Sequence, residues 1–222
     1  MATAHPMHIK LYYADVPFWR AECIRLCLFM GGVPFEDIRN VPAAKLREQG
    51  KLPFGSLPVL EVDGKLLSQT QAIASFCTYL SAKHPRDPWT AAKIDEAING
   101  CTDCTVTVSS TFSITEPAQK VEARQALIAS DGRLTRFLNG LEELLSKNGS
   151  NGKVAGDSIT VADLAIWRMA GWLDSGNLDG IPKGYILKTF PQIARLFAEV
   201  ESHSKVQEWK SKYPQFYKKA AL

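Results

Sequence analysis

Gln69-Thr70 stands directly ahead of Ala72, Ile73, Phe76, Cys77 and Leu80, a stripe whose spacing predicts a helix. The first turn of a helix leaves backbone N–H groups without partners and carries the positive end of the helix dipole, so this pair marks a place where a carboxylate can bind. The same threonine serves equally as a plain helix cap. Upstream, Leu57-Pro58-Val59 contains the residue type for which a cis peptide is cheap, although a trans proline opening a strand is the commoner arrangement. Tyr12 and Tyr13 close the β-rich run His8 to Tyr13. Adjacent strand residues point to opposite faces, so only one of the two phenols can aim at a given site.

The cysteines are the other reactive candidates. Cys101 and Cys104 form a CxxC that is either redox-active, half of a zinc site, or two buried thiols. No second pair or histidine cluster completes a metal site, and the pair falls within a helical pattern rather than after a first strand, which favours the buried reading. Cys23 and Cys27 lie one helical turn apart and read as small hydrophobes.

The elements that must position these groups follow from periodicity. His8 to Tyr13 is a strand, and Ala21, Ile24, Cys27 and Leu28 recur at helical spacing until Gly31-Gly32 stops them. Phe35 to Arg39 reads as a second strand, and Val41 to Gly50 as an irregular or weakly helical connection. Val59 to Val62 and Lys65 to Leu67 flank Asp63-Gly64, a pair suited to a tight hairpin because both positions take positive φ. The order is β-α-β-loop-β-β-α over residues 7–82. Residues 83–89, with two prolines and several charges, read as a connection, and residues 90–222 as an all-α domain.

In that second half the helical stretches lie near Thr90 to Ser113, Pro117 to Lys147, Val161 to Asp174, Phe190 to Ser202 and Lys205 to Lys212. Thr160 and Asp163 form a capping box, with Ile159 and Leu164 as its hydrophobic staple.

Composition narrows the function classes. The chain has 222 residues, 45% of them hydrophobic and 22% charged, which is ordinary for a globular protein. A net charge of +3 is too small to indicate nucleic-acid binding, and only Lys210, Lys212, Lys218 and Lys219 cluster. No apolar run is long enough to span a bilayer, and Met1 to Met7 lacks the features of a signal peptide, so a cytoplasmic location is expected.

Leu57-Pro58-Val59-Leu60-Glu61-Val62-Asp63-Gly64 followed by Ser68-Gln69-Thr70-Gln71-Ala72-Ile73 resembles the glutathione-site signature of the cytosolic glutathione transferases. Lys10-Leu11-Tyr12-Tyr13 with Arg20-Ala21-Glu22 is similar to the tyrosine-using classes, closest to sigma. Ser158 to Leu164 is similar to the capping segment of the family's helical domain. The resemblance implies an α/β thioredoxin-like N-terminal domain with a mixed four-stranded sheet, plus an all-α C-terminal domain carrying an electrophile pocket. It implies glutathione as co-substrate, a small hydrophobic electrophile as second substrate, a homodimer and no metal.

By the same resemblance, Pro58 is cis and lets the backbone of Leu57 pair with the tripeptide, while Gln69 and Thr70 receive its γ-glutamyl carboxylate. Tyr13 donates a hydrogen bond to the thiolate, and Arg20 supplies a nearby cation that favours ionisation. Asp103 reaches the ammonium of glutathione bound to a second copy. For the glycyl end, Val41 stands where sigma-like members carry tryptophan, their lysine corresponds to Lys45 or to Gln49, and Ser56 offers a polar contact. Pro17-Phe18-Trp19 departs from the Arg-Gly of relatives with one extra residue, which reshapes the loop over the thiolate. A glutathione-dependent isomerase of the prostaglandin D synthase kind, or a ligand-binding relative without catalysis, is the alternative expectation. Ala14 to Trp19 holds no cysteine, which disfavours a thioredoxin-like reductase.

Overall fold

The computed structural model of the chain describes residues 7–81, 85–148 and 151–217. They fall into two compact units divided at residue 84. In the first, β1 (Ile9–Tyr12), α1 (Trp19–Met30), β2 (Glu36–Ile38), α2 (Ala43–Glu48), β3 (Val59–Val62), β4 (Lys65–Ser68) and α3 (Thr70–Leu80) follow one another. The four strands lie in the order β2-β1-β3-β4. β1 runs parallel to β2 and antiparallel to β3, and β3 and β4 form an antiparallel hairpin. This is the mixed sheet of a thioredoxin-like domain, as expected.

Asp63 and Gly64 both have positive φ, 49° and 81°, so the hairpin turn is built as its residues predict. The register places Tyr12 opposite Val59 and Leu11 opposite Leu60. Tyr12 and Val59 pack with Leu46 and Leu52 on one face of the sheet. Alternation sends Leu11 and Leu60, both fully buried, to the other. Helices α1 and α3 pack on each other. Their approach is close enough at Gly31 that a Cβ there would stand 2.2 Å from the Cβ of Ser81. The stretch expected to be irregular or weakly helical contains α2, six residues with only Leu46 buried.

The second unit is all helical among its described residues. It contains α4 (Pro88–Ser109), α5 (Pro117–Ile128), α6 (Arg133–Lys147), α7 (Val161–Leu173), α8 (Tyr185–Thr189), α9 (Pro191–Ser202), α10 (Ser204–Lys212) and α11 (Pro214–Tyr217). The helix assigned to begin at Thr90 starts two residues earlier, because Pro88 takes the first helical position and the Asp87 carboxylate accepts from the Thr90 N–H at 2.8 Å. Residues 83–84 of the expected connection lie outside the described residues, as do Lys218 and Lys219.

The single helical stretch from Pro117 to Lys147 is two helices. Ala129 adopts an extended conformation, and at Gly132 a Cβ would stand 2.2 Å from the Leu127 carbonyl oxygen. Helix α8 carries no local start signal and was not expected; its first N–H groups are met by Asp174, which accepts from Ile186 at 2.8 Å and Leu187 at 3.1 Å. No described helix is long and apolar enough to cross a membrane.

The start of α7 is built as its residues predict. Asp163 accepts from the Thr160 N–H at 2.7 Å and the Thr160 hydroxyl at 2.6 Å, and the Thr160 oxygen accepts from the Asp163 N–H. Its other oxygen takes the Val154 N–H at 2.8 Å, which ties the preceding loop to the helix. Burial raises the Asp163 carboxyl to about 6 against the pull of these donors and of Lys153. Because the folded value lies above the unfolded one, about 3.9, the folded state binds the extra proton between them. The contribution to stability is therefore largest at the acid end, falls as pH rises through that window and is flat above it. Comparing denaturant unfolding of the wild type with Asp163→Asn, we expect the stability difference to move against the wild type by up to about 3 kcal/mol between pH 4 and pH 6.5.

Candidate functional site

Tyr13 leaves β1 with its backbone N–H still donating to the Ile38 carbonyl at 3.1 Å, so its position is set by the sheet. The side chain is half-buried. No hydrogen bond reaches its hydroxyl from the other described residues. Burial raises the phenol above its ordinary value, the charges of Arg20 and Arg25 pull it down, and Cys23 adds a smaller upward push. The net shift is upward, so the O–H is intact at neutral pH and able to donate. Tyr12 is placed differently: its hydroxyl donates to Glu61 at 2.9 Å and accepts from the Lys51 ammonium at 2.8 Å.

The loop between Tyr13 and Arg20 is held from beneath by a buried cation. Arg25 is fully buried on α1 and donates to Glu22 at 2.9 Å, Asp37 at 3.1 Å, and the carbonyls of Val16 at 3.0 Å and Ala14 at 3.4 Å. Asp37 also accepts from Arg39 at 2.7 Å, and Arg39 faces Asp15 at 3.7 Å. Glu22, Arg25 and Asp37 thus join α1, β2 and residues 14–16. Sequence reasoning missed this anchor. The Glu22/Arg25 spacing of three was a legible helical ion pair; its partner on β2 was not.

Of the residues that depart from the family pattern, Trp19 is fully buried as the first residue of α1, and Phe18 is half-buried with its ring centroid 6.3 Å away. Trp19 therefore packs beneath the loop. The guanidinium of Arg20 lies 4.9 Å from the centroid of the Trp19 ring.

A second set of groups gathers at the same end of the sheet, where β3 begins and β4 ends, since Val59 stands between Tyr12 and Ser68 in the register. The Leu57-Pro58 bond is cis. The Leu57 backbone makes no backbone hydrogen bond among the described residues. Gln69 has φ 75° and ψ 123°, a conformation that costs a non-glycine residue on the order of 1–3 kcal/mol and is found chiefly where binding depends on it. Thr70 follows as the first residue of α3; it is 4% exposed, and its hydroxyl has no hydrogen-bond partner. Free N–H groups, the helix dipole and an uncommitted hydroxyl make this end fit a carboxylate.

The remaining candidates are less committed. Lys45 and Gln49 are exposed on and just after α2, and Ser56 is exposed in the loop that follows. Asp103 is exposed on α4, in the other unit. Cys23, Cys27, Cys77, Cys101 and Cys104 are buried free thiols. Burial pushes Cys104 up to about 12, so the CxxC pair is packing. Among the described residues no group of three or more His, Cys, Asp or Glu is placed to hold a metal.

Comparison with known proteins agrees with this fold. Residues 7–79 match the family described as glutathione S-transferase, N-terminal domain, and residues 103–213 match glutathione S-transferase, C-terminal domain. A relative from Ascaris suum, glutathione S-transferase 1, is 32% identical over 205 residues, 86% of this chain and 95% of its own. Among solved structures, monomeric Na-GST-3 from the hookworm Necator americanus is 27% identical, with a TM-score of 0.74 over 92% of this chain and 97% of that one. The structure of prostaglandin synthase D of Nilaparvata lugens shares the fold at 24% identity, with a TM-score of 0.75 over 92% and 98%. A thioredoxin-like sheet joined to an all-helical unit, with both parts matched in order, defines the class, and the chain belongs to the glutathione S-transferase family. Glutathione is the co-substrate of that family.

Removing Arg25 would leave Glu22 and Asp37 without their shared cation. Breaking a buried pair in this way costs about 3–5 kcal/mol, so Arg25→Met is expected to lose that much in urea unfolding, with a smaller loss for the double variant Glu22→Gln/Arg25→Met.

Proposed function

We propose that this protein binds glutathione along Leu57, Gln69 and Thr70 and ionises its thiol at Tyr13, with the thiolate attacking a small hydrophobic electrophile. The observation that carries the assignment is the contrast between adjacent phenols: the Tyr12 hydroxyl is spent on Lys51 and Glu61, whereas that of Tyr13 is uncommitted and protonated. Lowering a thiol from about 8.5 to about 6.5 takes roughly 2.7 kcal/mol. One hydrogen bond to a charged group supplies about 1.5–3 kcal/mol, so a single phenol suffices. Arg20 adds a cation whose field reaches Tyr13 and favours the ionised sulfur.

The remaining roles follow the sigma-like pattern. The Leu57 backbone pairs with the peptide, the start of α3 takes the γ-glutamyl carboxylate, and Ser56 with Lys45 or Gln49 meets the glycyl end. Asp103 completes the site from a second copy in a cytoplasmic homodimer. Sedimentation should give a mass of twice 24.5 kDa; a species of single-chain mass that still turns over glutathione sinks the shared site.

The catalytic assignment is tested by conjugation of an activated aryl halide and by titrating bound glutathione through thiolate absorbance. Tyr13→Phe is expected to lower kcat/KM about 10- to 100-fold and to return the bound thiol toward about 8.5. If Tyr12→Phe abolishes conjugation and Tyr13→Phe does not, the assignment is wrong. The same measurements separate the other readings. An isomerase would turn over without consuming glutathione, and a ligand-binding relative would leave the bound thiol titrating as it does in water.

A further inference from the structure

The face of the sheet under α2 holds a polar cluster that the chemistry above does not use. The Lys51 ammonium donates to Glu61 at 2.7 Å and to the Tyr12 hydroxyl at 2.8 Å, and that hydroxyl donates to the same Glu61 oxygen at 2.9 Å. The three groups close a ring of hydrogen bonds between β1, β3 and the segment that follows α2. Lys51 and Glu61 are 31% and 15% exposed at their side chains, so solvent screens the pair only in part. The Glu61 carboxyl is held below its ordinary range, first by the hydrogen bond from Lys51, and Lys51 is raised, first by the bond to Glu61.

This ring matters because of what it holds. A six-residue helix is too short to be stable on its own, and α2 buries a single residue, Leu46. The chain from Ala43 to Leu57 is therefore attached to the sheet at few points. Leu46 and Leu52 pack on Tyr12 and Val59, with Leu57 against the edge of that cluster. The Lys51 N–H donates to the Leu46 carbonyl at 2.8 Å, so fixing the Lys51 side chain also fixes the end of α2. Tyr12 takes part in both attachments, through its ring and its hydroxyl. The segment so held carries Lys45, Gln49, Ser56 and Leu57, the groups assigned to the peptide and glycyl end of glutathione.

We propose that Tyr12, Lys51 and Glu61 are positioning residues that clamp the α2-to-β3 segment and so set the affinity for glutathione, leaving the thiol chemistry to Tyr13. This rests on the reading under Proposed function. It divides two neighbouring phenols between two kinetic constants: Tyr13 acts on kcat, and Tyr12 on KM for glutathione.

The test compares Tyr12→Phe, Lys51→Met and Lys51→Arg with the wild type by steady-state kinetics in glutathione and by amide hydrogen exchange. Loss of a hydrogen bond to a charged group corresponds to about tenfold. Tyr12→Phe and Lys51→Met are each expected to raise KM for glutathione about tenfold, with kcat at saturation within about twofold and Lys51→Arg recovering most of the loss. Faster exchange should be confined to amides within residues 43–57. A purely structural role would instead speed exchange throughout the first unit and lower kcat alongside the melting temperature, and that result overturns the proposal. Unchanged exchange in residues 43–57 overturns it as well. Should the wild type neither bind nor turn over glutathione, the functional reading falls, and its failure is recognised separately because exchange reports the clamp without ligand.

Discussion

β1 is paired on both edges, with β2 on one side and β3 on the other, and is covered on both faces. A strand committed in this way cannot slip by one residue without turning its whole hydrophobic set inside out. That constraint separates Tyr12 from Tyr13. One phenol is drawn under α2 into the hydrogen-bonded ring with Lys51 and Glu61, and the next leaves the sheet with its hydroxyl uncommitted. The different surroundings of two identical side chains are thus a property of strand pleating, before any ligand is considered.

The site inherits its rigidity unevenly. Beneath Tyr13, the Arg25 guanidinium is fully buried and spends its donors on two carboxylates and two loop carbonyls, an arrangement that tolerates little displacement in a low-dielectric surrounding. At the far end of α3 from Thr70, the close approach of Gly31 to Ser81 fixes that helix against α1. The α2 side has neither a buried ion network nor a long helix, and depends on a few apolar contacts and one partly exposed ion pair. Regions with few buried contacts open at lower free energy than the unit as a whole, and binding sites commonly draw on such regions.

What the sequence made legible was local. Asp63-Gly64 announced its hairpin, and Thr160 with Asp163 announced the start of α7, because each signal is complete within a few residues. Apart from α2, which was read as an irregular or weakly helical connection, the order of strands and helices in the first unit followed from periodicity and turn residues. The signals that failed to show were those supplied from a distance. Helix α8 is capped by Asp174, a residue 12 to 13 positions upstream of the N–H groups it satisfies; α9 was legible as a helix, but its cap by Glu142 from another helix was not. The break between α5 and α6 is enforced by the close approach of Gly132 to the Leu127 carbonyl. In the candidate site, the cis bond after Leu57 and the helix start at Gln69 and Thr70 match what motif and helix-start chemistry led one to expect. Lys51 was not, because its partners Tyr12 and Glu61 lie on two different strands.

Gln69 places two demands on one position. Its φ of 75° lies where side chains other than glycine are strained, so backbone energy alone favours glycine there. A glycine would carry no amide to offer a bound carboxylate. Under the proposed function, folding and binding therefore pull this residue in opposite directions. A glutamine held at positive φ leaves the rest of the domain to offset the strain, on the order of 1–3 kcal/mol, from its own packing.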